Sequence, residues 1–374
     1  MRPLLTAELR ARLSESADKT DPAGEPDRQV LAELRASGLL GTAVPVRHGG
    51  TGGDAAAVNR VVAEIAAVNP SVAIVAFQHF AVSARIAEWG TEEQRSRWLP
   101  RLADGGLLAA SAWSETGAGA AKQNLSSTGT RLADGGWRLD GAKAFATGAG
   151  VADLYLVLVR TADAEPAPDA EPASAGYGAD GQTFFLVGAD APGVVPDLGP
   201  GRGLAGMRGS ATGLVGLRGC VVPDTDRLGP AGGAASVIAG VRESGASLGA
   251  VSVGIAQGAF DVAVRHAEQH GLLALPTVRH RLVDLATRVE TARAVVDRAG
   301  ARTSADPGLT TLHSKLHASV AAEEVCLDVA RMLGSAGYRE GARIGRLLAD
   351  ARGIAFMGPT NDLCRDLVAA SWTG

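Results

Sequence analysis

The chain reads as an α+β protein with an N-terminal helical domain, a central β-domain and a C-terminal antiparallel four-helix bundle. Three observations predict this order. Apolar residues recur at helical spacing up to about residue 105, short β-favouring segments broken by Gly, Pro and Asp fill the middle, and long amphipathic helical patterns return from about Ser236. A length of 374 residues with 46% hydrophobic content suffices for a sizeable core without cross-links.

In the first domain, residues 1–106, "DRQVLAELRASGLLG" carries helical apolar spacing and closes on Gly41, a C-cap residue. A succession of apolar-striped helices follows, through "AAAVNRVVAEIAAVNPSVAIVAFQHFAVSARIAEWG" and "TEEQRSRWLPRLADGG". Residues 107–232 change character. "LLAASAWSE", "WRLDGAKAFAT", "LYLVLVR", "TFFLVGA" and "GLVGLRGCVVP" read as strands, interrupted by a Pro, Ala and acidic stretch, 161–182, expected to be a mobile loop. Residues 233–374 form the bundle, with "ESGASLGAVSVGIAQGAFDVAVRHAEQH", "TVRHRLVDLATRVETARAVVDRAGAR" and "TTLHSKLHASVAAEEVCLDVARMLGSAG" as long helices joined by short loops.

Charge and cysteine usage exclude several classes. A formal net charge of −4 offers nothing to nucleic acid or an anionic membrane surface. Cys220, Cys326 and Cys364 lack CxxC or metal-type spacing and read as reduced thiols. The stretch "MRPLLTAELRARLSESADKT" has no apolar signal core and no uninterrupted apolar run is long enough to span a bilayer, so a soluble, cytoplasmic protein is expected. No metal site is expected: His313 and His317 stand four apart on a helix without a third ligand.

Specific strings then narrow the reading. "LRASGLLGTAVPVRHGGTGGD", "GTEEQRSRWLPRLADGG", "SAWSETGAGA", "GAKAFATGAGVADLYLVLVR" and "GYREGARIGRLLADAR", in this order, resemble the acyl-CoA dehydrogenase family over essentially the whole chain. An isoalloxazine ring needs an apolar wall and a few donors at its N5, O4 and O2 edges, because those atoms change charge on reduction. The resemblance implies FAD, with Trp113 and Ser114 at the flavin edge, Phe145 on the ring and Thr147 donating a hydrogen bond; FMN and a vacant site stay open. It also implies a homodimer or homotetramer whose subunits complete each other's flavin sites.

The departures bear on chemistry. The family carries an Arg-x-x-Phe-Gly segment whose Arg meets the FAD diphosphate of a neighbouring subunit; here "AEQHGLLALPTVRH" puts His270 at that place. Arg331, with Gly334 in the following "GSAGY", replaces the family Gln of Q-x-x-G-G and either restores the charge or is a solvated helix-end residue. In "GIAFMGPTND" the family's Tyr-Glu-Gly-Thr becomes Met357, Gly358, Pro359 and Thr360, so the Glu that removes the α-proton is absent. Some members place that Glu at the start of the first bundle helix, where Ser244 falls, with Glu243 beside it; surface helix-dipole stabilisation in a first helical turn is the competing role of Glu243. Asp362 faces the cofactor by its place in the pattern, and His79, on a helix that runs beneath the substrate in this fold, is either a titratable site residue or a satisfied core histidine.

A flavin wall without the base implies an FAD-dependent oxidoreductase, foremost an oxygenase in which reduced flavin meets O2 in a water-shielded site. Its partner would be an acyl-CoA or related thioester of specialised metabolism, with similarity to base-deficient members of antibiotic and tropone-type pathways, and a flavin reductase is a partner to consider. Two alternatives stay open: an α,β-dehydrogenase of an acyl-CoA or carrier-bound acyl group using Glu243, and an inactive binding homologue.

Overall fold

The computed structural model describes residues 3–117, 124–161, 181–199 and 203–372. Five helices form the first layer: α1 (Ala7–Ala23), α2 (Arg28–Ala36), α3 (Ala55–Ala66), α4 (Pro70–Trp89) and α5 (Glu92–Ala103). Each starts where the sequence supplies an oxygen for the orphan N–H groups of a first turn: the side chains of Thr6, Asp27, Asp54, Asn69 and Thr91 all accept from the turn that follows, and Thr91 with Gln94 makes a reciprocal capping box.

Eight strands follow in one sheet: β1 (Ala109–Ala112), β2 (Thr128–Arg131), β3 (Trp137–Ala146), β4 (Leu154–Thr161), β5 (Gln182–Gly188), β6 (Val194–Asp197), β7 (Gly213–Val222) and β8 (Arg227–Leu228). Their order is β6-β7-β3-β2-β4-β5-β8, with β1 parallel to β4. β4 explains the uninterrupted run "LYLVLV". Leu154, Leu156 and Leu158 pack into a cluster with α4 and α5, while Tyr155, Val157 and Val159 pack on the other face with Trp137 and Leu217.

The third layer comprises α6 (Ala234–Glu243), α7 (Gly249–Gln269), α8 (Pro276–Ala301), α9 (Pro307–Leu333), α10 (Arg343–Ile354) and α11 (Asn361–Ala370). Helices α7, α8 and α9 are joined by short connections and alternate in direction, so α7 and α9 run the same way. α7 lies close on α3: a Cβ at Gly254 or Gly258 would stand 2.4 Å and 2.5 Å from the carbonyl oxygens of Ala63 and Ala67.

Two expectations are corrected here. Glu243 does not open a bundle helix; it ends α6, because Gly245 turns the chain with a φ of 82° and α7 begins only at Gly249. The loop expected over 161–182 has its ends in strands, Thr161 in β4 and Gln182 in β5, where Arg160 pairs with Gln182; residues 162–180 lie outside the described residues. Pro70–Trp89 is long and apolar enough to cross a membrane by length and composition, but Gln78, His79, Arg85 and Glu88 interrupt it and 72% of its apolar window is buried inside the protein. It is the central helix of the first layer, packed on α3, α5 and β1.

Candidate functional site

The exit of β1 and the end of β3 bring together the four residues expected at the flavin, Trp113, Ser114, Phe145 and Thr147. The Ala144 N–H donates to the Ser114 carbonyl at 2.8 Å, which holds Trp113–Ser114 alongside Phe145–Thr147. Trp113 packs on Phe184 at 4.9 Å between centroids, and its buried indole N–H meets no hydrogen-bond partner among the described residues. Phe145 has a φ of 52°, unfavourable for a bulky residue, and its ring stands 71% exposed. A strained backbone that turns an aromatic face outward fits a planar partner against it. Thr147 is buried, and its hydroxyl meets that of Thr212 at 3.2 Å.

Behind this edge sits a pair that sequence reasoning missed. Lys143 donates to Glu115 at 2.7 Å, the two side chains being 0% and 3% exposed. Glu115 also accepts from Ser126 N and Oγ, both at 2.6 Å, and from Ser127 N at 3.1 Å. Burial pushes this carboxyl up, but the hydrogen bonds from Lys143, Ser126 and Ser127 outweigh burial and hold it at about 2. Glu115 follows Ser114 directly and Lys143 precedes Phe145 by two, so the pair ties the two flavin-edge segments to one internal anchor.

The segment between α10 and α11 carries the substrate-facing candidates. Gly358 is exposed, Met357 half-buried, and Thr360 caps α11 by accepting from Leu363 N at 3.2 Å. Asp362 points to solvent, with a side chain 92% exposed and paired to Arg365 at 2.7 Å. Ser244 caps α6, its hydroxyl donating to Val241 O at 2.8 Å. Glu243 is exposed and lies against the first turn of α9, where a Cβ on Gly308 would stand 3.8 Å from its Cγ. At the end of α6 it gains nothing from its own helix dipole and sits near the favourable end of α9 instead, a correction to its first-turn role. His79 is a core histidine. It is 0% exposed, its Nδ1 accepts from Ala109 N at 3.3 Å, and burial pulls it down to about 4, so it is neutral at pH 7 and shut off from solvent. Its candidacy as a catalytic group is corrected accordingly.

The two halves are physically joined. The Thr212 hydroxyl meets Ser210 Oγ at 2.7 Å, the Gly148 N–H donates to Ser210 O at 3.1 Å, and the Met207 N–H donates to Asp350 of α10 at 2.5 Å. Asp350 is 2% exposed, and burial pushes it up to about 7 despite the Met207 N–H and the nearby Arg346. The turn 207–212 thus couples Thr147 to the helix that leads into Gly358.

His270, Arg331 and Gly334 stand elsewhere. Arg331 lies in the last turn of α9 and His270 caps α7; because these helices run the same way, both occupy one end of the bundle. At 1.5 Å per residue, Arg331 stands roughly 24 Å along α9 from Lys315, which touches the Gly358 segment. Arg331 is 66% exposed and reaches Asp328 at 3.4 Å, Gly334 closes α9 with a φ of 58°, and His270 Nδ1 meets His266 O at 2.9 Å. The chain therefore gathers the flavin-edge and Gly358 residues through one turn and leaves the His270 and Arg331 group apart. If Arg331 contacts the diphosphate of a neighbour's FAD, Arg331→Ala weakens FAD binding by about ten- to a hundredfold, and His270→Ala stays near the parent. Dissociation constants from flavin fluorescence check this, and equal negligible effects would remove both residues from the site.

An open cavity of about 440 Å³ between α2 and the α5–β1 turn contains none of these residues. Its two arginines are engaged by backbone: Arg28 donates to Gly150 O at 3.0 Å, and Arg35 to Gly105 O at 2.7 Å and Gly106 O at 2.8 Å.

Comparison with known proteins decides the family. Residues 2–106, 110–220 and 231–373 match the N-terminal, middle and C-terminal domains of acyl-CoA dehydrogenase. The chain belongs to the acyl-CoA dehydrogenase family. It is 30% identical over 376 residues to a probable acyl-CoA dehydrogenase, FadE25, of Mycobacterium tuberculosis, covering 98% of this chain and 92% of that one. Butyryl-CoA dehydrogenase from Megasphaera elsdenii shares the fold, with a TM-score of 0.85 and 24% identity over 100% of both chains. So does dibenzothiophene monooxygenase from Paenibacillus sp. A11-2, with a TM-score of 0.81 and 21% identity over 97% of this chain and 94% of that one. The acyl-CoA dehydrogenase family is one of FAD-binding flavoproteins. The uncovered Phe145 ring, the orphaned Trp113 N–H and the neighbouring Ser114 and Thr147 fit that cofactor: they offer an apolar face with polar groups at one edge.

Proposed function

We propose that this acyl-CoA dehydrogenase family member is an FAD-dependent oxygenase acting on an acyl-CoA or related thioester. One observation carries the reading: no carboxylate occurs from Met357 to Asn361, the stretch that resembles the family's Tyr-Glu-Gly-Thr, with Gly358 where its Glu would fall. Glycine cannot accept a proton, and a general base contributes about 10²–10⁴-fold to a proton abstraction. When bound, FAD supplies two-electron redox chemistry and, once reduced, electrons for dioxygen. Trp113, Ser114, Phe145 and Thr147 would hold it. Phe145 and Trp113 exclude water from one face, and the Thr147 hydroxyl, oriented by Thr212, offers a hydrogen bond at the ring edge. Met357 and Gly358 leave an apolar, acid-free wall for the acyl group, and a flavin reductase would supply electrons from outside. The fold accommodates both reaction types, since its members include named dehydrogenases and a named monooxygenase.

A dehydrogenase reading has one observation in its favour, the dehydrogenase names of relatives near 30% identity. It requires Glu243 as base. Glu243→Gln in the FAD-loaded protein separates the two. Under the oxygenase reading, oxygen uptake with thioester substrates and a flavin reductase supplying electrons stays within about several-fold of the parent; a loss of about three orders of magnitude in the rate at which thioester reduces the retained flavin establishes the dehydrogenase.

A further inference from the structure

The buried lysine of α9 has no role in the chemistry above, yet it touches the segment that lacks the base. Lys315 Nζ donates to Met357 O at 3.2 Å, Pro359 O at 2.7 Å and Asn361 Oδ1 at 2.8 Å. These three oxygens alternate along the chain and bracket Gly358 and Thr360. We propose that Lys315 is the positioning residue that fixes where residues 357–361 stand against the substrate. This rests on reading that segment as substrate-facing.

The geometry uses all of the lysine. An ammonium has three N–H groups, and here three oxygens receive them. Lys315 is 3% exposed, so water does not replace a lost contact. Asn361 is clamped in turn, donating Nδ2–H to Ser319 Oγ at 3.0 Å, which fixes the side-chain oxygen that Lys315 needs. Among the described residues no carboxylate makes an ion pair with the Lys315 ammonium. The facing groups are on α11 and α6: Asp362 is paired with Arg365 at 2.7 Å, burial pushes the Cys364 thiol up, and Arg242 adds a second cation near Cys364. On α9 itself, only Ser319 among its polar neighbours touches Asn361. The cation is therefore directed at loop oxygens, where charge-assisted bonds are stronger than neutral ones.

Proton loss has a geometric consequence. A neutral amine has two N–H groups and must release one of the three oxygens. Burial, opposed by Cys364 and Asp362 and aided by Arg365, pulls the ammonium down to about 8, so this release falls in the mildly alkaline range.

The test uses FAD-loaded parent and Lys315→Met. Hydrogen exchange is followed in peptides covering 354–363 at pH 7 and pH 9, with intrinsic rates divided out. Butyryl-CoA, as an acyl-CoA probe, is titrated by flavin absorbance across the same range. Expected are an increase of about tenfold or more in parent exchange at the higher pH, and Lys315→Met already fast at both. Butyryl-CoA affinity should fall with pH in the parent and be weak and flat in the variant. Parent protection that does not change with pH overturns the proposal, whatever the variant's folding, as does a variant with parent-like protection and affinity. Failure of the parent to bind butyryl-CoA counts against the acyl-CoA reading of the site, while the exchange measurement still decides on Lys315.

Discussion

Lys143→Met is expected to destabilise the protein by about 3–5 kcal/mol and to strip it of flavin. The substitution leaves Glu115 ionised, 5% exposed and without its cation, with only Ser126 and Ser127 to satisfy it. Breaking one side of a buried pair is costly because the remaining charge has lost both water and partner. Glu115→Gln with Lys143→Met removes that charge and keeps acceptors for the serine donors, so the double variant should recover much of the loss. Urea denaturation of the four proteins of this cycle gives the energies, and absorbance of the purified proteins gives FAD content. A Lys143→Met variant within about 1 kcal/mol of the parent would show that the pair does not anchor the β1 and β3 ends.

The second large effect is a pH dependence. Asp350 is held at about 7 in the folded protein against an ordinary value of 3.8. The folded value lies above the unfolded one, so its contribution to stability is fully present below about pH 4 and is lost as pH rises through 7. Three units correspond to about 4 kcal/mol over that window. Asp350→Asn removes the titration while keeping an oxygen for the Met207 N–H. Relative to this variant, the parent should lose stability between about pH 4 and pH 7, read from denaturation midpoints at each pH. Parallel curves would mean that Asp350 stays ionised throughout, held by Arg346.

The domain order was legible because periodicity switches from helical to strand-like and back. Within it, "LYLVLVR" and "TFFLVGA" were recognisable as strands from their β-branched and aromatic runs. β2 "TGTR" and β6 "VVPD" were not, since both are four-residue strands held by backbone pairing to β3 and β7 with little apolar alternation. The break before α7 was hidden in "ESGASLGAVSVG", where small residues leave the apolar stripe unbroken across Gly245. At the site, the resemblance identified Trp113, Ser114, Phe145, Thr147 and Gly358 as candidates, because their motifs are contiguous. Lys315 was invisible: in "LHSKLHAS" it looks like any solvated helix lysine, and its partners lie more than 40 residues away. Glu115 and Lys143 were hidden for the same reason, being 28 residues apart.

Phe145, with its strained backbone and uncovered ring, also bears on the life of the polypeptide before it acquires a cofactor. A ligand that covers the ring and binds only the folded chain favours the native state in proportion to the logarithm of its free concentration over its dissociation constant. The flavin is then a folding ligand as well as a reagent. By that linkage, the free flavin concentration sets the chain's stability against unfolding, and a host starved of riboflavin is expected to accumulate less of the protein before any turnover is measured.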